Sequence, residues 1–438
     1  MGLHGLACCV SLGLAALVAL PFRDPLGSGP LVGSWVGRGP VPSVVRANVS
    51  SGPPPTDDAP TGLPPALVSH AHCWGRYAGR HEMLPQPLPE APSEAVLAQA
   101  GDLSRAIAKG IFDDSMPEAW SHYLAAVSRK IGVATAPTRK LKILIAAFVT
   151  MDALHNLAFT LRKLQASGTG DEFKLALFYY RMPLGQLPDL GYLGPVLAPH
   201  IVLQWSGTGC KHQYHWHLTP ELVSSFDYIW LIDGDVMFDF FDWALFKYYM
   251  LKSNALMAQP SSLPFSRLPG ERASYHGILQ MAGADTKTGA IDAAWETEWA
   301  ECMAVIMSSK IWEIVYLRSV SVSNTSGLFA VEGIWNAVPN LLWQEGCTDI
   351  RSLVVNLTPI RHVNCRDYSN SSSRCGLEPS ITECQPLVPK EVESLRRNFP
   401  HCDRPDKPMA QWKTLYRQVC FWRKKWDRRY KSWPAPRV

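Results

Sequence analysis

Asp233 and Asp235, with Gly234 between them, close an apolar run that starts at Tyr228 and reads Tyr-Ile-Trp-Leu-Ile. Side chains two apart in extended or turning backbone project to the same side, and the intervening glycine lets the chain approach a ligand closely. Two hard oxygen ligands on one side suit Mg²⁺ or Mn²⁺, which keep open positions for the phosphate oxygens of a nucleotide diphosphate. The chemistry on offer is a metal clamp on a leaving diphosphate. The plain alternative is an ordinary Asp-Gly turn at a strand end. A second cluster, Cys210-Lys211-His212-Gln213-Tyr214-His215-Trp216-His217, holds metal-binding residue types just ahead of that strand. It reads as surface histidines beside a disulfide cysteine rather than as zinc ligands. Gly207-Thr208-Gly209-Cys210-Lys211-His212 is neither a phosphate loop nor a dinucleotide fingerprint, since the spacing is wrong and no Ser or Thr follows Lys211. A Gly-x-Ser-x-Gly elbow is absent from the sequence.

An acidic pair is useful only at the end of an element that holds it. Short continuous apolar runs at Lys142 to Thr150, Phe173 to Tyr180, Ile201 to Trp205, Tyr228 to Ile232 and Ser352 to Leu357 predict strands buried on both faces. Amphipathic stretches such as Asn156 to Gln165 and Phe240 to Leu251 interleave with them. The alternation predicts an α/β fold with a doubly wound, mostly parallel sheet over residues 140–367. In such a sheet ligands bind at the carboxyl ends of strands, which is where Asp233 and Asp235 fall. Residues 92–139 read as a helical lead-in, and no internal repeat is visible.

The flanks speak to address rather than chemistry. At 438 residues, 47% apolar and only 18% charged, the chain has ample material for a core and is not a disordered polymer. Gly2 to Phe22 carries no charged side chain over 21 residues, which is ~30 Å of helix, the thickness of a bilayer core. Residues 1–22 therefore read as a signal anchor, or as a signal peptide whose cleavage would leave the chain secreted. Residues 23–91 form a Pro/Gly-rich stem, with ten Pro and seven Gly between Arg23 and Ala66. Eleven cysteines, six of them from Cys347 to Cys420 without a Cys-x-x-Cys pair, favour disulfides over zinc. Sequons at Asn48, Asn324, Asn356 and Asn370 agree with an oxidising lumen. Residues 368–438 form a Cys-containing extension ending in a Trp/Arg/Lys tail. Its tryptophans could stack on sugars or sit at a membrane, and the reading preferred here is a helix that packs its Trp face on the domain. That tail, from Gln411 on, has nine Lys/Arg against Asp427 alone, so the formal charge of +4 leaves the rest of the chain acidic. A nucleic-acid partner is excluded on that ground, for it needs a basic face across a domain.

The residues around the acidic pair resemble a known superfamily. An apolar strand ending in Asp-x-Asp is similar to the signature of GT-A-fold glycosyltransferases. More narrowly, Pro220-Glu221-Leu222-Val223-Ser224-Ser225-Phe226-Asp227-Tyr228-Ile229-Trp230-Leu231, then Asp233-Gly234-Asp235, then Ala258-Gln259-Pro260 resemble a plant and algal GT-A-like family of unknown function. That family has a Tyr-Ile-Phe-Leu-Trp-Asp-Glu-Asp core and a Ser-Gln-Pro strand about twenty residues later. Looser likeness continues at Glu301-Cys302-Met303-Ala304, Trp312, Gly333-Ile334-Trp335-Asn336, Val354-Val355 and His362, so it spans roughly Lys142 to His362.

The resemblance implies Mn²⁺ or Mg²⁺ on Asp235, Asp233 nearer the nucleotide ribose, and His362 as third ligand. It implies a nucleotide-diphosphate sugar as co-substrate, and a glycan or glycoprotein hydroxyl as acceptor. With the leader, it predicts a type II protein of the Golgi membrane, held there by its N-terminal segment with the catalytic domain lumenal. Where the family has an Asp, this chain has Asn336, which cannot act as a base, so Glu301, Glu332 and Glu298 stand as base candidates. For Glu301 the competing reading is a solvated acid on a helix face, and for His362 a strand-end histidine bonding backbone. Two other functions compete. A haloacid-dehalogenase-like phosphotransferase would use the first Asp as nucleophile, but its strand opens the domain, whereas three predicted strands precede Asp233. A non-catalytic carbohydrate-binding relative would fit Asn336.

Overall fold

The computed structural model describes residues 116–133, 139–180, 182–207, 211–263, 292–321, 329–362, 387–409 and 429–434. The leader, the stem, the sequons at Asn48, Asn324 and Asn370, Cys210 and the tail tryptophans Trp412, Trp422 and Trp426 lie outside the described residues. Among the described residues no helix is long and apolar enough to cross a membrane.

The first half of the chain folds as its pattern demands. Strands β1 (Lys142–Val149), β2 (Glu172–Tyr180), β3 (Ile201–Gly207) and β4 (Tyr228–Asp233) pair in parallel in the order β3-β2-β1-β4. β1 is buried at every position after its first, as a run without alternation requires of a strand covered on both faces. Helix α1 (Met116–Lys130) precedes them, and its Trp120 indole donates to the Leu357 carbonyl at 3.1 Å. Helix α2 (Leu154–Gln165) crosses from β1 to β2, burying Leu154, Leu157, Ala158, Leu161 and Leu164, an i, i+3, i+4, i+7 stripe. A two-residue strand β5 (Val236–Met237) and helix α3 (Trp243–Lys252) follow β4. Asp242 caps α3, accepting from the Leu245 N–H at 2.8 Å.

Beyond β4 the sheet is mixed. Strands β6 (Met257–Ser262), β7 (Asp292–Thr297), β8 (Ala304–Ser308) and β9 (Ser352–His362) extend it in the order β4-β8-β6-β9-β7, where only β8 and β7 run against the rest. Helices α4 (Ser309–Ser321) and α5 (Phe329–Gln344) cover one face, and α1, α2 and α3 contribute to the core on the other.

Two expectations are corrected here. Trp295 to Trp312 is not one helical stretch with acids on it: β7 and β8 occupy most of it, and Glu301 lies buried in their connection. The tail is not helical at its end either: residues 429–434 form β10 (Arg429–Pro434), antiparallel to β7 at the sheet edge. Helix α6 (Pro389–Asn398), in the Cys-containing extension, buries Leu395 and, with Leu387, Phe399 and Met409, joins the core under α4 and α5. Arg318 of α4 and Glu391 of α6 form a buried two-pronged pair at 2.6 and 2.7 Å. Cys347 and Cys402 form a disulfide in the same layer.

Candidate metal centre and active site

Three elements converge on the end of β4. The strand leaves the sheet at Asp233, whose N–H donates to the Met303 carbonyl, while the Gly234 N–H donates to the Phe148 carbonyl, both at 2.9 Å. The chain then turns into β5, which pairs antiparallel with the end of β9 so that Val236 stands opposite His362. This pairing, made by a partner more than a hundred residues downstream, carries the histidine to the acidic turn. Arg361, beside His362, ion-pairs with Asp239 just after β5 and fixes the short ladder from its other end.

The outcome is a compact cluster: one ligand atom each from Asp233, Asp235 and His362 lies within 4.8 Å of the others. His362 Nε2 is 3.2 Å from Asp235 Oδ1, and Asp235 is 2% exposed. Asp233 is less buried. Two hard carboxylates and one imidazole converging from three backbone segments fit a divalent cation of the Mg²⁺ or Mn²⁺ type. A buried carboxylate beside an imidazole is otherwise costly, which a cation between them offsets.

The three glutamates are distributed differently. The register across the sheet sets Glu296 level with Trp230, three residues short of Asp233. Glu298 follows the end of β7, and its carbonyl accepts from Asn340 Nδ2 at 2.8 Å. Glu301 sits on the connection that climbs to Met303, its own N–H donating to Gln259 Oε1 at 2.6 Å, and it is 9% exposed. Glu332 belongs to α5, and its side chain lies outside the described residues.

Asn336 has a task of its own. Its Oδ1 accepts from the Ala300 N–H at 2.6 Å and its Nδ2 donates to the Ala300 carbonyl at 3.0 Å. Asn340 holds the Glu298 carbonyl at 2.8 Å. These amides lash the β7–β8 connection to α5, and with it the carbonyl that receives the Asp233 N–H.

The histidine cluster is corrected. His215 is fully buried, its ring 5.3 Å from Trp312 and 5.8 Å from Phe148, so it is not a surface residue. His217 lies 4.8 Å from the Trp205 ring, and burial pulls its pKa below the usual 6.5. Sequon Asn356 is also buried in β9, its amide donating to the Asp292 carbonyl at 2.9 Å, which leaves no room for a glycan. Sequence reasoning passed over Asn156, whose Nδ2 donates to the Gly234 carbonyl at 3.2 Å and the Val236 carbonyl at 2.6 Å. The available signal was an amide with a hydroxyl four residues on, Asn156 and Thr160, on the apolar stripe of α2.

No protein-family model matches the chain, and no curated protein does. The likeness to the plant and algal family therefore stands on the quoted motifs alone. Among solved structures the chain is similar to the mannosyltransferase PcManGT from Pyrobaculum calidifontis in complex with GDP-Man and Mn2+. The identity is 10% and the TM-score 0.32, over 74% of this chain and 81% of that one. A likeness of that size carries no argument, and the reading below stands on the cluster's geometry.

Proposed function

We propose that the chain is a divalent-metal-dependent glycosyltransferase that moves a sugar from a nucleotide-diphosphate donor to an acceptor hydroxyl. The observation that carries the reading is the Asp233, Asp235 and His362 cluster at the carboxyl end of a central strand, where open α/β sheets take their ligands. Asp235 and His362 would hold Mn²⁺, or Mg²⁺, with Asp233 facing both the ion and the donor ribose. When bound, the cation neutralises charge on the departing diphosphate. Glu301, Glu332 or Glu298 would accept the proton of the acceptor hydroxyl. The acceptor is a glycan or glycoprotein, and residues 1–22 would hold the protein in a Golgi membrane or direct it to secretion. The Cys347–Cys402 disulfide supports an oxidising compartment.

The test is incubation of the full chain with a panel of nucleotide sugars and Mn²⁺. Donor hydrolysis or transfer is expected, lost by at least ~100-fold in Asp235→Ala. Phosphatase activity without nucleotide dependence would instead favour a phosphotransferase. Sugar binding indifferent to metal and to Asp235 would favour a non-catalytic lectin-like relative.

A further inference from the structure

We infer that Asn156 of α2 is a positioning residue for the metal clamp, setting where Asp235 stands relative to Asp233 and His362. The inference rests on the reading of those three as metal ligands. Asn156 is 6% exposed, and its single amide nitrogen donates to the carbonyls of Gly234 and Val236, the residues on either side of Asp235. One side chain thus holds both flanks of the ligand-bearing residue. The two carbonyl contacts also fix the amide's orientation, since the flipped form would set an oxygen against two oxygens.

Val236, Met237 and Phe238 anchor the far side of the turn in the core. Behind the turn is only a small gap, with room for about one water, bordered by Ala147, Val149, Leu157, Thr160 and Phe238 together with Asn156. Asn156 Oδ1 and Thr160 Oγ1 are buried with no protein partner. The backbone bonds to Phe148 and Met303 secure the turn on its β4 side, ahead of Asp235, and the β5–β9 ladder secures it beyond Val236. Asn156 ties the two sides together across Asp235. Removing the amide takes a donor from each of the two carbonyls that flank Asp235 and loosens the turn that carries Asp235 toward His362.

The experiment compares the full chain with Asn156→Asp and Asn156→Ala. The Asp variant is nearly isosteric but cannot donate to either carbonyl. Leu395→Ala, in the core of α6 and remote from the turn, serves as a control that lowers stability without touching the clamp. Mn²⁺ affinity is measured by electron paramagnetic resonance at a temperature where circular dichroism shows every variant folded. Amide hydrogen exchange of Gly234 to Val236 is followed without metal. The expected result is Mn²⁺ binding weakened by about 10–100-fold in the Asn156 variants, the range seen when a residue supporting metal ligands is lost. Faster exchange across the turn should accompany it, while the control keeps wild-type affinity. Should Asn156→Asp fail to fold, Asn156→Leu removes the donor at similar volume without adding charge. Asn156 variants that bind Mn²⁺ as tightly as wild type overturn the inference, as does a control whose affinity falls in step with its stability. Failure of the metal reading looks different: wild type itself would bind no Mn²⁺, and the inference would fall with it.

Discussion

Asn336 makes two hydrogen bonds to a single residue, one as acceptor and one as donor, and an ionised carboxylate in its place could only accept. Restoring the acid at this position should therefore not restore a base. Asn336→Asp is expected to cost about 1–3 kcal/mol in urea denaturation, because the Ala300 carbonyl keeps only the Trp335 indole as donor and gains a charge beside it. Its turnover should not rise. A variant of unchanged stability and higher turnover would mean that Asn336 occupies the base's place. Lys163 offers a second residue-scale test. Burial strips its ammonium of water and lowers its pKa from 10.5 to about 8, with Asp239 and Asp242 pulling partway back. Between those values the unfolded chain binds the proton and the folded chain does not, so stability should climb from about pH 8 to about pH 10. Above pH 10, Tyr179 and Tyr249, raised by burial, act the other way. Lys163→Met should flatten the rise, as read from denaturation midpoints at pH 7 to 10. A slope unchanged in that variant would assign the titration elsewhere.

At the scale of elements, β1 to β4, α2 and α3 were legible because their patterns are unmixed. Lys142–Val149 is one apolar run, and Leu154–Gln165 repeats every three or four residues. β7 and β8 were not. β8 passes into α4 at Ser309 with no breaking residue, so strand and helix merge into one apolar stretch, and the acids Glu296, Glu298 and Glu301 gave it a helical look. β10 was hidden by its lysine, arginine and terminal proline, features suited to an edge strand but weak as strand signals. The docking of α6 could not be read either, since Arg318 and Glu391 are 73 residues apart and each alone looks like a surface charge. Both are nearly inaccessible, so Arg318→Met should cost about 3–5 kcal/mol by leaving the Glu391 carboxylate buried without its counter-charge, held only by the Val388 N–H. Pairing it with Glu391→Leu should recover much of that loss in a double-mutant cycle. Additive losses would show that the two charges are not coupled.

Across the whole molecule, the site depends on contacts that sequence order conceals. The acidic pair was readable from residue type and spacing, and His362 was readable once a likeness suggested it, and the three do lie together. What placed His362 there is the β5–β9 ladder, and what holds the turn is Asn156 from a helix nearly eighty residues earlier. The reach of Glu301 likewise follows from the clamps of α5 and β6 rather than from a local motif. The central claim is that Asp233, Asp235 and His362 form one cation site that receives a diphosphate. The most direct measurement is anomalous diffraction at the manganese edge from crystals grown with Mn²⁺ and a nucleoside diphosphate. A single strong peak within bonding distance of those three side chains and of the diphosphate oxygens is the predicted result. A peak elsewhere, or none there while the three side chains keep the arrangement described, would contradict it.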